Sequence, residues 1–91
     1  MFYVVAYDIP DDKRRNRLFK AMKGFGIHTQ FSLFECTLDD KEFIRMTKKI
    51  ESVMDKKEDD IKIYPICNSC LQKVESHGKA VLNKEKEVIV I

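Results

Sequence analysis

The segment at residues 2–8, FYVVAYD, most constrains the fold because it is apolar on both of its faces. Its aromatic and β-branched residues favour a strand. Side chains alternate across a strand, so Asp8 shares one face with apolar even-numbered residues, and Tyr3, Val5 and Tyr7 share the other. A strand with two apolar faces is covered on both sides. Because the chain has only 91 residues, we expect one covering layer to come from a second copy.

Two segments carry the pattern of amphipathic helices. The first follows Pro10, is capped by Asp11 with Asp12 in its first turn, and runs to about Lys23 before Gly24. The second spans residues 39–55 and begins on consecutive aspartates, with apolar residues at helical spacing. Acids at these starts also suit the positive end of the helix dipole.

The remaining patterns predict a ferredoxin-like α+β sandwich, βαββαβ, with both helices on one face of an antiparallel sheet. Residues 27–38 read as extended, either one bent strand or two short ones. Residues 59–66 read as a strand, and Pro65 indicates either the end of that strand or a sheet edge. We expect a single domain over 1–91, in which 67–91 form a dimerisation extension. That extension holds a short strand at 72–77 and a terminal VIVI strand that adds to the partner's sheet.

Charge is concentrated in one part of the chain. No acid occurs from Lys13 to Phe34, whereas six bases do, and the whole chain carries only +2. Such a basic segment indicates a polyanion surface, although a solvated helix face explains it equally well. Arg14, Arg15 and Arg17 lie in the first turns of the helix, where they either grip phosphate or pair with nearby acids.

Asp8 is the acid that helix capping does not explain. A carboxylate at the end of a buried strand needs a partner, either an arginine or a hard cation. Magnesium takes one or two protein carboxylates and leaves its other positions to water and phosphate. A two-fold dimer that brings two copies of Asp8 together would suit metal-assisted phosphodiester hydrolysis.

Other reactive side chains give weaker signals. Tyr7 and Phe34 are candidates for stacking on bases, although aromatic residues in strands are more often core. His28 is a weaker candidate for a general base, and Ser32 has no triad partner that spacing identifies. Cys67-x-x-Cys70 (CNSC) is more typical of a tight turn than of a zinc site, which needs two further ligands.

The segments YVVAYDIPDDKRRNRL, GFG, TQFSLFEC and IKIYPIC follow one another in order from residue 2 to about residue 70, and VIVI comes last in the sequence. Together, these segments resemble the CRISPR-associated Cas2 family. The strand-end YDI with the following Arg-x-Arg is the most specific part of this resemblance. A basic residue, often arginine, commonly precedes the family's QxSxF motif, and His28 occupies that neighbourhood here.

The resemblance implies a homodimer in which Asp8 of each chain flanks a divalent metal, Mg2+ or another such as Mn2+. It implies that Arg15 and Arg17 handle nucleic acid, that Tyr7 adjoins the metal ligand, and that Phe34 ends the second motif. The implied function is CRISPR spacer acquisition with a magnesium-dependent endoribonuclease or endonuclease site at the dyad, acting on RNA or DNA. The alternatives are a non-catalytic scaffold that bridges dimers of the Cas1 integrase, or a stand-alone toxin-like ribonuclease.

The cysteine content and the lack of an export signal predict the cellular location. Three cysteines without an export signal predict a reducing, cytoplasmic compartment. No apolar run approaches the roughly 20 residues that a membrane span needs.

Overall fold

The computed structural model describes residues 1–78, which form four strands and three helices. The strands are β1 (Phe2–Asp8), β2 (Ile27–Gln30), β3 (Leu33–Thr37) and β4 (Asp60–Ile66). The helices are α1 (Asp12–Met22), α2 (Asp40–Val53) and a short α3 (Asn68–Leu71). The predicted order of the six main elements is confirmed, and residues 27–38 are two strands.

One antiparallel sheet with strand order β2-β3-β1-β4 organises the chain. Helices α1 and α2 lie on the same face, where they enclose one core with the central strands. Its largest fully buried side chains are Phe34, Leu18, Met22, Met46, Val5 and Cys36. This is the predicted ferredoxin-like plan, and β4, which carries Pro65, is an edge strand as expected.

Both long helices begin on the predicted aspartates. Asp11 accepts a hydrogen bond from the Arg14 N–H at 2.8 Å. Asp39 and Glu42 form a reciprocal capping box at the start of α2. These local bonds satisfy backbone donors that the helices leave unpaired, so they fix where each helix begins.

The connection between α1 and the β2–β3 hairpin requires the backbone at Gly26 to lie very close to β3. A Cβ atom added there would lie 2.4 Å from the Cys36 sulfur and 2.5 Å from the Glu35 carbonyl oxygen. Only glycine therefore lets β2 leave the helix this close to β3. The hairpin then turns at Phe31, whose φ of 44° is unusual for a bulky residue.

The second face of the sheet is covered at one end only. Phe2 packs there against Leu71 of α3, flanked by Val4, Ile66 and Val74. Residues 72–77 contain no strand, so the prediction of one there is wrong. The predicted terminal strand at 88–91 lies outside the described residues and stays a prediction.

The rest of that face, which we call the open face, has no covering element within residues 1–78. Strand pairing places Val4 beside Tyr64 and Glu35, and Ala6 beside Leu33 and Lys62. The exposed Ile27 continues the row of Glu35. Val4, Ala6 and Leu33 therefore form an apolar strip that runs from the end of the sheet near α3 toward Asp8. The charged residues Glu35 and Lys62 lie beside this strip.

Candidate metal and nucleic-acid site

Asp8 lies at the end of β1, on the open face and exposed to solvent. This corrects the expectation that its carboxylate is buried. No hydrogen bond or ion pair of its side chain occurs within residues 1–78, so the arginine pairing that the sequence allowed is not formed in this part of the chain. Its carboxylate is free to bind a ligand from outside the protomer.

Asp60 is a second carboxylate that sequence reasoning missed. The register of β1 and β4 places it directly opposite Asp8, and it is also exposed. Residues opposite each other in antiparallel strands have Cβ atoms about 4.5–5.5 Å apart, and like charges there repel. A cation between the two carboxylates would relieve that repulsion. Only the strand register reveals the pair, because the two residues are distant in sequence.

A single protomer nevertheless offers few ligands. Among residues 1–78, no group of three or more histidine, cysteine or acidic side chains is arranged to hold a metal. Magnesium needs only one or two protein carboxylates, so the donor set suits a hard, partly hydrated cation better than zinc.

Arg14 serves a structural ion pair. Its Nε and Nη2 donate to both oxygens of Asp59 at 2.6 and 2.9 Å, and Nη2 also donates to Glu58 at 3.2 Å. The Asp59 side chain is fully buried and accepts a third bond from the Asp55 N–H at 2.8 Å. The Arg14 bond holds the pKa of Asp59 below its ordinary value. Phosphate binding by Arg14 stays a prediction, and its guanidinium is already engaged.

Arg15 secures the turn that follows Asp8. Its Nη1 donates to the Ile9 carbonyl at 3.0 Å, and its Nη2 pairs with Asp12. The side chain stays partly exposed, and its charge acts on Tyr7. Arg15 therefore sets the geometry between the strand end and α1 while keeping a positive charge near Asp8.

Arg17 differs from its two neighbours. It is exposed, and its side chain forms no ion pair with any residue from 1 to 78. Of the three predicted arginines, Arg17 has the guanidinium most available to phosphate.

Two predicted contacts with nucleic acid are corrected by burial. Phe34 is 0% exposed and packs between Tyr7 and Phe19, with ring centroids 6.1 and 5.6 Å away. Tyr7 is also buried on the helix-bearing face, which raises the pKa of its hydroxyl, while the Arg15 charge opposes that rise. In this conformation neither ring is available for base stacking, because both are part of the core.

The exposed aromatic ring at this end of the sheet is Phe31, which sequence reasoning did not select. It is 89% exposed. The adjacent Ser32 is held to β1 by a 3.1 Å bond from the Tyr7 N–H to the Ser32 carbonyl. The hairpin tip therefore sits beside the end of β1. The sequence held a partial signal, because two short strands within residues 27–38 require a turn between them, and Phe31 lies at that turn.

His28 lies away from Asp8. It pairs with Phe34 in the hairpin, so its ring lies on the helix-bearing face, in edge contact with Phe19 at 5.0 Å. Its Nε2 donates to the Phe31 carbonyl. The structure therefore does not bring His28 and Asp8 together, and a general-base role for His28 at that carboxylate lacks support.

The two cysteines of the CNSC motif open α3. Cys67 is the N-terminal cap of α3, and its sulfur lies 3.2 Å from the Ser69 hydroxyl. Both Cys67 and Cys70 are exposed, while Cys36 is buried. The Ser69 hydrogen bond, together with bonds from Cys70, lowers the pKa of Cys67 to about 7, and the same pairing raises that of Cys70.

We expect Cys67 to be the fastest of the three cysteines to alkylate near neutral pH. A thiol with a pKa of about 7 is about half thiolate at pH 7. Iodoacetamide labelling, followed by peptide mass spectrometry across pH 5–9, should show a Cys67 rate that rises to half its maximum near pH 7. Ser69→Ala should move that midpoint upward. Equal rates for Cys67 and Cys70 at pH 7 would contradict the assignment.

The fold and the site together define a small ferredoxin-like protein with an acidic strand end beside a basic helix, a class suited to binding nucleic-acid backbones. The family model described as "CRISPR associated protein Cas2" matches residues 1–74. The chain therefore belongs to the CRISPR-associated Cas2 family, and the suggested resemblance is confirmed.

Relatives and solved structures agree with this family. The chain is 35% identical to the "CRISPR-associated endoribonuclease Cas2 3" of Synechocystis, over 98% of this chain and 97% of that protein. A crystal structure of a hypothetical protein from Thermus thermophilus matches with a TM-score of 0.79 and 37% identity, covering 89% of this chain and 94% of the other. The crystal structure of Streptococcus pyogenes Cas2 at pH 6.5 matches with a TM-score of 0.75 and 28% identity, covering 86% and 100%.

Within residues 1–78, no helix is both long enough and apolar enough to span a membrane.

Proposed function

We propose that this chain forms a homodimer that binds nucleic acid and cleaves phosphodiesters at a metal site built on Asp8. The observation that carries the proposal is the exposed Asp8 carboxylate, which has no partner within residues 1–78 and lies at the end of an apolar open face. The Synechocystis relative is named an endoribonuclease, which supports the same reaction class.

The open face supports the dimer. Tyr64 and Ile27 are about half exposed there, beside the partly buried Val4 and Leu33. Contiguous apolar surface of this kind marks an interaction site. A two-fold axis through this face would bring Asp8 of each protomer toward the same region. Residues 67–91 would complete the interface, as the sequence predicted.

The donor set fits magnesium. Asp8 and its symmetry mate would hold the ion, with Asp60 available as a further oxygen ligand. When bound, the metal would polarise the phosphate and lower the pKa of a water. Arg15 and Arg17 would position the backbone, and the exposed Phe31 ring offers a surface on which a single-stranded base can stack. We place this activity in CRISPR spacer acquisition in the cytoplasm, with the Cas1 integrase as partner.

A second candidate is a non-catalytic scaffold for the Cas1 integrase. It is supported by the lack of any three-ligand cluster in the described part of the protomer. Both candidates use the same basic surface, so the test must measure cleavage and binding separately.

The test is the metal dependence of cleavage by the purified protein. Labelled single-stranded RNA and DNA are incubated with Mg2+, Mn2+ or EDTA. Binding is measured in parallel by fluorescence anisotropy. We expect cleavage with Mg2+ or Mn2+ and none in EDTA, with binding in all three conditions. Cleavage that continues in EDTA would refute the metal site, and binding without cleavage under every condition would favour the scaffold.

A further inference from the structure

The three cysteines of the chain are of two kinds. Cys36 is buried in the core, and this burial raises the pKa of its thiol to about 11. Cys67 and Cys70 are exposed and lie three positions apart, directly after β4 ends at Ile66. The proposed metal and nucleic-acid site uses neither of these two thiols. They therefore form an exposed pair whose chemistry has no part in the function proposed above.

The start of α3 brings the two thiols together. Cys67 is the N-terminal cap of this helix, and its backbone is extended, with φ of −70° and ψ of 165°. A side chain at a cap position folds back over the first turn, toward the second and third helical residues. Those residues are Ser69 and Cys70, and the Cys67 sulfur lies 3.2 Å from the Ser69 hydroxyl. The Cys70 thiol also hydrogen-bonds with the Cys67 sulfur.

The dimensions of this turn suit a disulfide bond. Residues three apart on a helix have Cβ atoms about 5–6 Å apart, and a disulfide requires about 3.5–4.5 Å. Closure therefore needs a small inward movement, which the exposed position of both side chains permits. The backbone bond from the Leu71 N–H to the Cys67 carbonyl, 2.8 Å long, holds the two ends of the turn in place.

The two thiols differ in ionisation, and this difference gives them different parts in an exchange reaction. The Ser69 hydroxyl and Cys70 lower the pKa of Cys67 to about 7, whereas Cys67 raises the pKa of Cys70. At neutral pH, Cys67 is therefore the attacking thiolate. Cys70 is the resolving thiol, because a group held this close meets a mixed disulfide on Cys67 at a high effective concentration.

We propose that Cys67 and Cys70 form a thiol–disulfide exchange site whose substrate is a low-molecular-weight disulfide. The Cys67 thiolate attacks one sulfur of that disulfide, forms a mixed disulfide and releases one small thiolate. Cys70 loses its proton to solvent and attacks the Cys67 sulfur, which forms the Cys67–Cys70 bond and releases the second small thiolate. The protein pair is oxidised by two electrons, and the small disulfide is reduced to two thiols.

Closure of the pair acts on the helix that covers one end of the open face. Leu71, next to Cys70, packs on Phe2, and both side chains are buried. A helix of four residues is not stable by its own hydrogen bonds, so α3 depends on this contact. A covalent bond across its first turn restricts opening of the segment. The amide hydrogens of α3 should therefore exchange more slowly in the oxidised protein than in the reduced protein.

The test traps the mixed disulfide on the full chain. Reduced wild type, Cys67→Ser and Cys70→Ser are incubated with oxidised glutathione at pH 7, quenched with acid, and analysed by intact and peptide mass spectrometry. Cys70→Ser should accumulate one glutathione on Cys67, because it lacks the resolving thiol. Wild type should instead lose two hydrogens between Cys67 and Cys70. The buried Cys36 is the internal control, and it should stay unmodified in every protein.

The rate of the first step distinguishes the two thiols. Cys67→Ser leaves Cys70 to attack alone, and it should react about three- to sixfold more slowly than wild type at pH 7. The difference is this small because a thiol of low pKa gains in thiolate fraction but loses in nucleophilicity.

Ser69→Ala tests the positioning of the Cys67 thiolate. The Ser69 hydrogen bond stabilises the reduced protein, so its loss should favour the disulfide. The level of oxidised glutathione at half oxidation should fall by about twofold at pH 7 and by about fivefold at pH 8, because more of Cys67 is ionised at the higher pH. A merely structural effect of the substitution would not grow with pH in this way.

Three results would each overturn the proposal. The first is a stable mixed disulfide on Cys67 in wild type, and the second is a disulfide-linked dimer on a non-reducing gel in place of the internal bond. The third is the absence of any reaction at either exposed thiol. None of these results bears on the Asp8 site, since reduced Cys67→Ser should keep the wild-type rate of metal-dependent cleavage. The two proposals therefore fail separately.

Discussion

Replacing Asp8 by Asn is expected to lower the metal-dependent cleavage rate by at least about a hundredfold. Asparagine keeps the shape of the side chain and one oxygen, but it removes the charge that would attract the cation. Affinity for nucleic acid should change by less than about twofold, because the anionic Asp8 does not itself attract phosphate. Cleavage is measured in single-turnover reactions, and affinity is measured by anisotropy.

The stability of Asp8→Asn separates catalysis from folding. In wild type, two exposed carboxylates face each other across β1 and β4, which is unfavourable. Removing one charge should leave the thermal midpoint unchanged or slightly higher. A loss of cleavage combined with an unchanged or raised midpoint therefore cannot come from unfolding.

Asp40→Asn is the matched control for this variant. Asp40 is an exposed acid at the start of α2, so its replacement makes the same change in charge away from the open face. We expect this control to cleave at the wild-type rate. If highly purified Asp8→Asn protein cleaves as fast as wild type, Asp8 is not the metal ligand, or the activity comes from a contaminant.

The sequence predicted the features that depend on local chemistry. The two apolar faces of β1, the start of α1 at Asp11 and the start of α2 at Asp39 or Asp40 each follow from a few neighbouring residues. Asp8 was singled out because capping explained Asp11 and Asp12 but left Asp8 without a role. That distinction is consistent with the structure, in which Asp11 caps α1 and the Asp8 side chain has no partner within residues 1–78.

The features that the sequence did not predict depend on register and long-range pairing. Asp60 faces Asp8 only because β4 pairs with β1 in one particular register. Phe31, rather than the predicted Phe34, is the exposed aromatic ring, because the strand pairing shifts at the β2–β3 hairpin and simple alternation does not apply there. A pattern read along one strand cannot show where its partner strand begins.

The Arg14–Asp59 pair is the clearest long-range case, because 45 positions separate its residues. It joins the start of α1 to the loop before β4, close to the point where Asp8 and Asp60 face each other. Replacing Asp59 by Asn should lower the thermal midpoint by more than about 10 °C, since Arg14 would lose its charged partner in a largely buried position. The measurement is a circular dichroism melt at neutral pH.

Glu58→Gln is the matched control, because Glu58 also contacts Arg14 but its side chain is 61% exposed. Exposed ion pairs contribute little, so this variant should melt within about 3 °C of wild type. Equal midpoints for Asp59→Asn and wild type would show that the pair does not hold the fold together.

The pH dependence of unfolding gives an independent check on the same pair. The Arg14 hydrogen bond lowers the pKa of Asp59 from its ordinary value of 3.8. The stabilisation is therefore fully present above that value, and it is lost as the pH falls through the lower folded-state pKa. The thermal midpoint of wild type should fall steeply below about pH 4. The midpoint of Asp59→Asn should fall less over the same range, because this variant has no carboxylate to protonate at position 59. Parallel acid profiles for the two proteins would mean that other carboxylates, rather than Asp59, govern acid unfolding.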